Sequence, residues 1–171
     1  ISFGTGKHET TQLCIRQLIK YIKDGHPKVL DVGCGSGILS IVALKLGASE
    51  VVGTDLDADC MISTHENMKV NHLDEKLGTF YVGNLIDDVD LQKQVGTEEY
   101  DIVVANIVAD IIMEFNTEVG KFLKDDGVYI TGGIIENRED EVLYSFNQNG
   151  FEVIERHENN GWLVFVLKKT L

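Results

Sequence analysis

The residues with the clearest chemical potential are a glycine loop and an acid that follows it along the chain. The apolar stretch "VLDV" runs into "GCGSG" at residues 33–37, and a second apolar stretch, "VVGTD", ends at Asp55. Glycines between a strand and a helix let the backbone approach a ligand closely at the positive helix end. An acid at the end of the next strand can accept both hydroxyls of a ribose. The pair therefore predicts a ligand that contains a nucleoside.

These residues need a framework of strands and helices that brings them to one edge. Short β-type runs alternate with helical ones: "KVLDVG", "VVGTD", "TFYV", "YDIVVAN" and "GVYITGG" read as strands, and "ADIIMEFNTEVGKFL" reads as one helix between the last two. Asp57 is a suitable cap for a helix that begins at residue 58. The final "FEVIERHENNGWLVFVLKK" is typical of a β-hairpin. We predict an α/β protein with a doubly wound, Rossmann-like sheet of seven strands and a C-terminal antiparallel hairpin.

Both a dinucleotide and S-adenosylmethionine fit a glycine loop followed by an acid. The glycines run G-x-G-x-G instead of G-x-G-x-x-G, a spacing that favours an amino-acid-sized tail over a pyrophosphate. Seven strands that end in a hairpin are the pattern of class I methyltransferases. The fourth strand ends in "VVAN", which places Asn106 at the same edge as the loop. The core alone therefore favours an S-adenosylmethionine-dependent methyltransferase.

Composition limits the class of protein and its partners. The chain has 171 residues, 43% of them hydrophobic and 25% charged, as expected of one globular domain. No apolar run approaches the roughly 18 residues of a membrane span. The formal charge of -13 argues against direct nucleic-acid binding and suits a basic partner. Three cysteines without metal-ligand spacing indicate reduced thiols and a cytoplasmic location.

Four segments in order carry a more specific resemblance. They are "FGTGKHETT", "LDVGCGSGILSIVALKLGA", "GTDLDADC" and "ANIVADII". With them the chain resembles the bacterial PrmA-type methyltransferases, which trimethylate amines on the eleventh protein of the large ribosomal subunit. The resemblance implies a catalytic domain over residues 1–171 that trimethylates lysine and α-amino groups of this ribosomal protein. The substrate-recognition domain that precedes the catalytic domain in that family has no match in this sequence.

The resemblance also implies which residues contact the cofactor: Thr11, Gly33, Asp55 and Asn106. Gly35 belongs to the same glycine loop and is predicted to bind with it. Thr11 can donate a hydrogen bond to the methionine carboxylate, and Asp55 can hold the ribose hydroxyls. Asn106 presents an amide and a backbone carbonyl beside the reactive methyl group, so we predict it to be a catalytic residue as well.

Three further predictions concern the loops around the cofactor. Residues 3–11 are expected to fold over it as a lid, with Phe3 and Thr5 among its contacts. His8 is a candidate general base, although a histidine beside a helix start also serves to orient a loop. Asn84 follows the third strand and suits either the adenine edge or a turn. The remaining histidines have no partner at metal-ligand spacing, so no metal site is predicted.

Two other functions fit parts of the sequence. A class I methyltransferase for another amine or a small molecule shares the same core. Amide and adenine N-methyltransferases carry N-P-P-[YFW] after the fourth strand, where this chain has "NIVA" at residues 106–109. A non-catalytic nucleoside-binding module or a nicotinamide oxidoreductase is the more distant alternative, and the glycine spacing and terminal hairpin count against the oxidoreductase.

Overall fold

The computed structural model describes residues 6–170, including the side chains of residues 8–170. Within this range the α-helices are α1 (Gly6–Ile22), α2 (Ile38–Lys45), α3 (Ala58–Val70), α4 (Val89–Val95), α5 (Ala109–Phe115) and α6 (Glu139–Gln148). The strands are β1 (Lys28–Val32), β2 (Glu50–Asp55), β3 (Gly78–Val82), β4 (Tyr100–Asn106), β5 (Leu123–Ile135), β6 (Phe151–Asn159) and β7 (Trp162–Lys169). Short 3-10 helices cover Glu75–Leu77, Val119–Lys121 and Glu136–Arg138.

The strands form one sheet in the order β3-β2-β1-β4-β5-β7-β6. Strands β1 to β5 pair in parallel, whereas β7 pairs antiparallel with β5 and with β6. Parallel neighbours need crossover connections, and α2 to α5 provide them here. The predicted α/β class, the seven-stranded doubly wound sheet and the C-terminal hairpin are confirmed.

The two faces of the sheet are covered by different helices. Val29 and Val104 pack with residues of α1, α2 and α3, whereas Leu30 and Val103 pack with residues of α4, α5 and α6. This alternation follows from the period of two along a strand, and it explains why β1 and β4 are apolar on both sides. Asp31 belongs to the α2 side of β1, where the Ser40 hydroxyl donates to its Oδ2 at 2.7 Å.

α4 was not predicted from the sequence, and the helix predicted at α5 was too long. α4 has only seven residues, and the side chain of Asp88 caps it by accepting from the Leu91 N–H at 3.1 Å. α5 ends at Phe115 because the following N–H groups make tighter i→i−3 bonds, from Thr117 to the Glu114 carbonyl at 3.3 Å and from Glu118 to the Phe115 carbonyl at 2.8 Å. The Asn116 amide accepts from the Tyr129 hydroxyl and donates to Ser145 Oγ, each at 2.9 Å. The expected single helix is therefore two short ones.

The C-terminal hairpin turns at Asn160 and Gly161, whose φ angles are 50° and 82°. Two positive φ angles in a two-residue turn match a type I′ turn, which suits the twist of the flanking strands. This tight turn lets β7 lie between β5 and the edge strand β6.

α1 is anchored to the edge of the sheet at its C-terminal end. The Glu155 carboxylate on β6 accepts from the Tyr21 hydroxyl and, at 2.8 Å, from Lys20 Nζ. Partial burial raises the pKa of Glu155, but the hydrogen bonds from Lys20, Tyr21 and His157 outweigh it and hold the pKa at about 2. Neither α1 nor any other helix of residues 6–170 has the length and apolarity to cross a membrane.

Candidate active site

The glycine loop connects β1 to α2 through three residues in the left-handed region. The φ angles of Gly33, Gly35 and Gly37 are 73°, 55° and 84°. A Cβ on Gly33 would lie 2.5 Å from Ile107 Cγ2, so a larger residue does not fit there. A Cβ on Gly35 would meet no atom within 4 Å. The loop thus forms a cradle that is closed on one side and open on the other, as close backbone approach to a ligand requires.

Asp55, the last residue of β2, is held in a fixed orientation beside this loop. Its Oδ2 accepts from the Gly35 N–H and its Oδ1 from the Asp57 N–H, both at 2.9 Å. An ionised carboxylate has about four lone-pair sites, so each oxygen keeps one for a further donor. Asp55 can therefore accept two vicinal hydroxyls without rearranging.

Asn106, the last residue of β4, is held by the first turns of α1. The Thr10 hydroxyl donates to Asn106 Oδ1 at 2.9 Å and accepts from the Gly133 N–H at 2.6 Å. Asn106 Nδ2 in turn donates to Thr11 Oγ1 at 3.3 Å. Because Thr10 already accepts from Gly133, its proton is directed to Oδ1, which fixes the orientation of the amide. One lone pair on Oδ1 and one Nδ2 hydrogen remain for a ligand.

Thr10 was not among the predicted site residues, although the sequence contains a signal for it. It is fully buried, like Cys14 and Leu18 on the same face of α1. A buried hydroxyl at i, i+4 spacing with apolar residues needs a partner inside the protein. That requirement predicts an internal hydrogen-bond partner for Thr10 without identifying Asn106 as that partner.

A cleft of about 660 Å³ lies at the carboxyl edge of the strands. It brings together six of the predicted site residues: Thr11, Gly33, Gly35, Asp55, Asn84 and Asn106. Ile38, Leu56, Val108 and Ile111 add an exposed apolar rim. A concave site with apolar walls and a few convergent polar groups is typical of a small-ligand pocket.

The outcomes differ for Asn84 and for the predicted residues of the opening segment. Asn84 lines the cleft and also makes a turn, because its Oδ1 accepts from the Ile86 N–H at 3.0 Å. The position of Asn84 is therefore compatible with both predicted roles, a contact with the adenine edge and a turn residue. His8 lies in the first turns of α1, exposed to solvent, and is not among the residues that line the cleft. Phe3 and Thr5 lie outside the described residues.

Asp31 is a further acid in the cleft and was not predicted to belong to the site. Its side chain is 2% exposed, yet it lies among the cleft residues. Burial raises the pKa of Asp31 from 3.8 to about 6, although the hydrogen bond from Ser40 opposes the rise. A carboxylate that is costly to ionise in the free protein is suited to a cationic ligand, which would offset that cost.

Cys34 and Cys60 also line the cleft, and both are free thiols. Burial raises the pKa of the Cys34 thiol, so it stays protonated near neutral pH. The thiolate is the nucleophilic form of cysteine, so the geometry does not favour covalent catalysis by Cys34. Among residues 8–170, no three His, Cys, Asp or Glu side chains are grouped as metal ligands would be.

The sequence of the whole chain matches a known family. A family model described as "Ribosomal protein L11 methyltransferase (PrmA)" matches residues 1–170. The chain belongs to this family. It is 66% identical over 171 residues to the ribosomal protein L11 methyltransferase of Agathobacter rectalis, covering 99% of the chain and 53% of that relative. The enzyme of Lachnospira eligens is 47% identical over 163 residues, covering 95% and 51%.

The chain spans about half the length of the curated relatives it matches. Among solved structures, a ribosomal protein L11 methylase from Lactobacillus delbrueckii subsp. bulgaricus superposes with a TM-score of 0.84 at 29% identity, covering 96% of this chain and 80% of that one. A TehB-like SAM-dependent methyltransferase from Corynebacterium glutamicum superposes with a TM-score of 0.70 at 20% identity, covering 92% and 88%. The fold is that of class I methyltransferases, as the sequence predicted.

Asp31→Asn should stabilise the ligand-free protein in a pH-dependent way. A native pKa of about 6 against an ordinary 3.8 means that the native state loses stability as pH rises from about 4 to 6. Above pH 6 the free-energy cost of ionising Asp31 in the native state is constant at about 3 kcal/mol, taking about 1.4 kcal/mol per pKa unit. The asparagine oxygen can still accept from Ser40. We expect the variant to gain about 1–3 kcal/mol in the free energy of urea unfolding at pH 8, and this gain to be smaller by roughly 1 kcal/mol at pH 5.

Asp126→Asn, which removes an exposed carboxylate from β5, is the matched control. An equal change in the free energy of unfolding of Asp31→Asn at pH 8 and pH 5 would contradict the assignment of a destabilising buried charge.

Proposed function

We propose that the chain is the catalytic domain of an S-adenosylmethionine-dependent methyltransferase that trimethylates lysine and α-amino groups of a large-subunit ribosomal protein. The observation that carries the proposal is the convergence of the glycine loop, Asp55 and Asn106 on one cleft. Membership of the family supports the choice of acceptor, since its curated members are named for ribosomal protein L11. The proposed domain covers residues 1–171.

The residues of the cleft fit the parts of S-adenosylmethionine. Asp55 would hold the ribose hydroxyls, and the open side of the glycine loop at Gly35 would take the amino-acid tail against backbone. Thr11 lines the cleft and would donate to the carboxylate of that tail. Asp31 offers a negative charge to its ammonium group. The cofactor supplies a methyl group on a sulfonium, which needs no metal to react with an amine.

The acceptor amine must lose a proton before it can attack. A lysine with a pKa of about 10.4 is neutral in only about four parts in ten thousand at pH 7, which corresponds to roughly 4.6 kcal/mol. Val108 and Ile111 form an apolar wall beside Asn106, and desolvation there would favour the neutral amine. The free lone pair on Asn106 Oδ1 and its backbone carbonyl can accept the amine hydrogens and orient the nitrogen. Water can remove the proton, so a protein base is optional.

The position of His8 bears on whether a protein side chain acts as the base. Because His8 is exposed and is not among the residues that line the cleft, we favour a role in orienting the opening segment over one as base. Residues 3–11 remain our proposal for a cover over the cofactor.

The charge and the cysteines support further parts of the proposal. The formal charge of -13 suits a basic protein substrate and does not favour direct contact with nucleic acid. Cys14, Cys34 and Cys60 are all free, which is consistent with a reducing, cytoplasmic location.

The proposed function can be tested by calorimetric titration with S-adenosylhomocysteine and with NADH, followed by methyl transfer to the purified ribosomal protein. We expect binding of S-adenosylhomocysteine, no binding of NADH, and methylated amines detected by mass spectrometry. Binding of NADH alone would contradict the methyltransferase assignment. Binding of S-adenosylhomocysteine with transfer to other proteins but not to this one would contradict the proposed acceptor.

Asp55→Ala should weaken binding of S-adenosylhomocysteine by roughly 2–4 kcal/mol, because two ribose hydrogen bonds of about 1–2 kcal/mol each are lost. Calorimetry at constant pH measures the change. Asp90→Ala removes an exposed carboxylate from α4, away from the cleft, and should leave the affinity unchanged. Equal affinities for the wild type and Asp55→Ala would remove Asp55 from the binding site.

A further inference from the structure

Two side chains of α3 reach across to the glycine loop. The Thr64 hydroxyl donates to the carbonyl oxygen of Gly35 at 3.0 Å, and Asn67 Nδ2 donates to the carbonyl oxygen of Ser36 at 2.9 Å. Thr64 and Asn67 are three residues apart, so they project from the same face of the helix. Two consecutive carbonyls of the loop are thus bound by one helix.

We propose that Thr64 and Asn67 are positioning residues that hold the glycine loop in its ligand-binding conformation. We call this pair of bonds the α3 clamp. The inference rests on the proposed function in taking S-adenosylmethionine as the ligand. It assigns to α3 a role in the site that the sequence pattern does not indicate.

The loop needs such a restraint because of its own composition. Gly35 and Gly37 have positive φ angles of 55° and 84°, and an unrestrained glycine populates both signs of φ readily. Fixing the backbone of each residue costs conformational entropy. If the loop is already ordered before binding, the ligand does not have to meet that cost.

The clamp also sets the direction of a backbone donor. In a trans peptide the carbonyl oxygen and the following N–H point to opposite sides. With the Gly35 carbonyl bound to Thr64, the Ser36 N–H is directed away from α3. Ser36 lines the cleft, so the restraint decides which backbone groups this part of the loop offers to a ligand.

Packing reinforces the hydrogen bonds at Thr64. The side chain is fully buried, and a Cβ on Gly37 would lie 2.8 Å from Thr64 Cγ2. The loop and the helix are therefore in close contact at this point. Only a glycine at position 37 permits it.

α3 is connected to the same loop a second time through Asp55. The helix begins just after Asp55, and its cap residue Asp57 donates its N–H to Asp55 Oδ1. Asp55 Oδ2 accepts from the Gly35 N–H, while the Gly35 carbonyl is bound to Thr64. Both polar groups of Gly35 are thereby fixed, one by the proposed ribose acid and one by the clamp. A shift of α3 would displace the loop and Asp55 together.

The helix offers a matched control in Asn71. Its Nδ2 donates to the Asn67 carbonyl oxygen at 2.8 Å, a bond within α3 and its C-cap that does not involve the loop. Asn67→Ala and Asn71→Ala therefore each remove one asparagine-to-carbonyl bond of nearly equal length. A merely structural role would give both variants the same behaviour.

The experiment compares Asn67→Ala, Asn71→Ala, Thr64→Val and Thr64→Ser with the wild type. Hydrogen exchange of the peptide that contains residues 33–38 is measured without ligand, and affinity for S-adenosylhomocysteine is measured by calorimetry. We expect faster exchange and roughly five- to tenfold weaker binding for Asn67→Ala and Thr64→Val. Asn71→Ala should match the wild type in both readouts, and Thr64→Ser should restore most of the loss because it keeps the donor.

The clamp would be overturned if Asn67→Ala and Asn71→Ala showed the same hydrogen exchange of the loop and the same affinity for S-adenosylhomocysteine. Weaker binding without faster exchange of the loop would overturn it as well, because the effect would then not act through loop order. A wild-type chain that fails to bind S-adenosylhomocysteine contradicts the proposed function instead. In that case the clamp is still tested by comparing hydrogen exchange of the loop between Asn67→Ala and Asn71→Ala.

Discussion

Parallel pairing of β1 with β2 on one side and β4 on the other is the constraint on which the site depends. Val32 at the end of β1 is in register with Thr54 and with Ala105, each one residue before the end of its own strand. The glycine loop, Asp55 and Asn106 therefore emerge side by side. From β1 the chain extends the sheet to β2 and β3 on one side, and it then crosses back to add β4 and β5 on the other side of β1. A crevice opens between β1 and β4, where the strand order reverses.

The structure fixes each of these three elements with groups from outside the sheet. α3 binds the glycine loop, the loop and the start of α3 orient Asp55, and the first turns of α1 orient Asn106. Ordering polar groups before a ligand arrives reduces what binding must supply. The buried Asp31 has a cost instead, because its ionised carboxylate lowers the stability of the ligand-free protein. Polar groups in the cleft are thus retained at some cost to stability.

Much of the fold was predictable because its signals are local. β4 spans Tyr100–Asn106 as predicted, and Asp57 caps α3 by accepting from the Asp59 N–H. The site residues at strand ends followed from parallel topology. α4 was missed because seven residues give too few turns for a clear period. The spacing of Thr10 with Cys14 and Leu18 indicates a buried hydroxyl that needs a partner, but the partners themselves, Asn106 and Gly133, lie far along the chain and no local pattern identifies them.

In the proposed function, the cleft between the glycine loop, Asp55 and Asn106 holds S-adenosylmethionine beside an acceptor amine. The most direct measurement is a crystal structure of this chain with S-adenosylhomocysteine. We expect the ribose hydroxyls to lie on Asp55, the amino-acid tail to run along the glycine loop and the sulfur atom to face Asn106. A ligand bound elsewhere, or one whose ribose lies away from Asp55, would contradict this expectation.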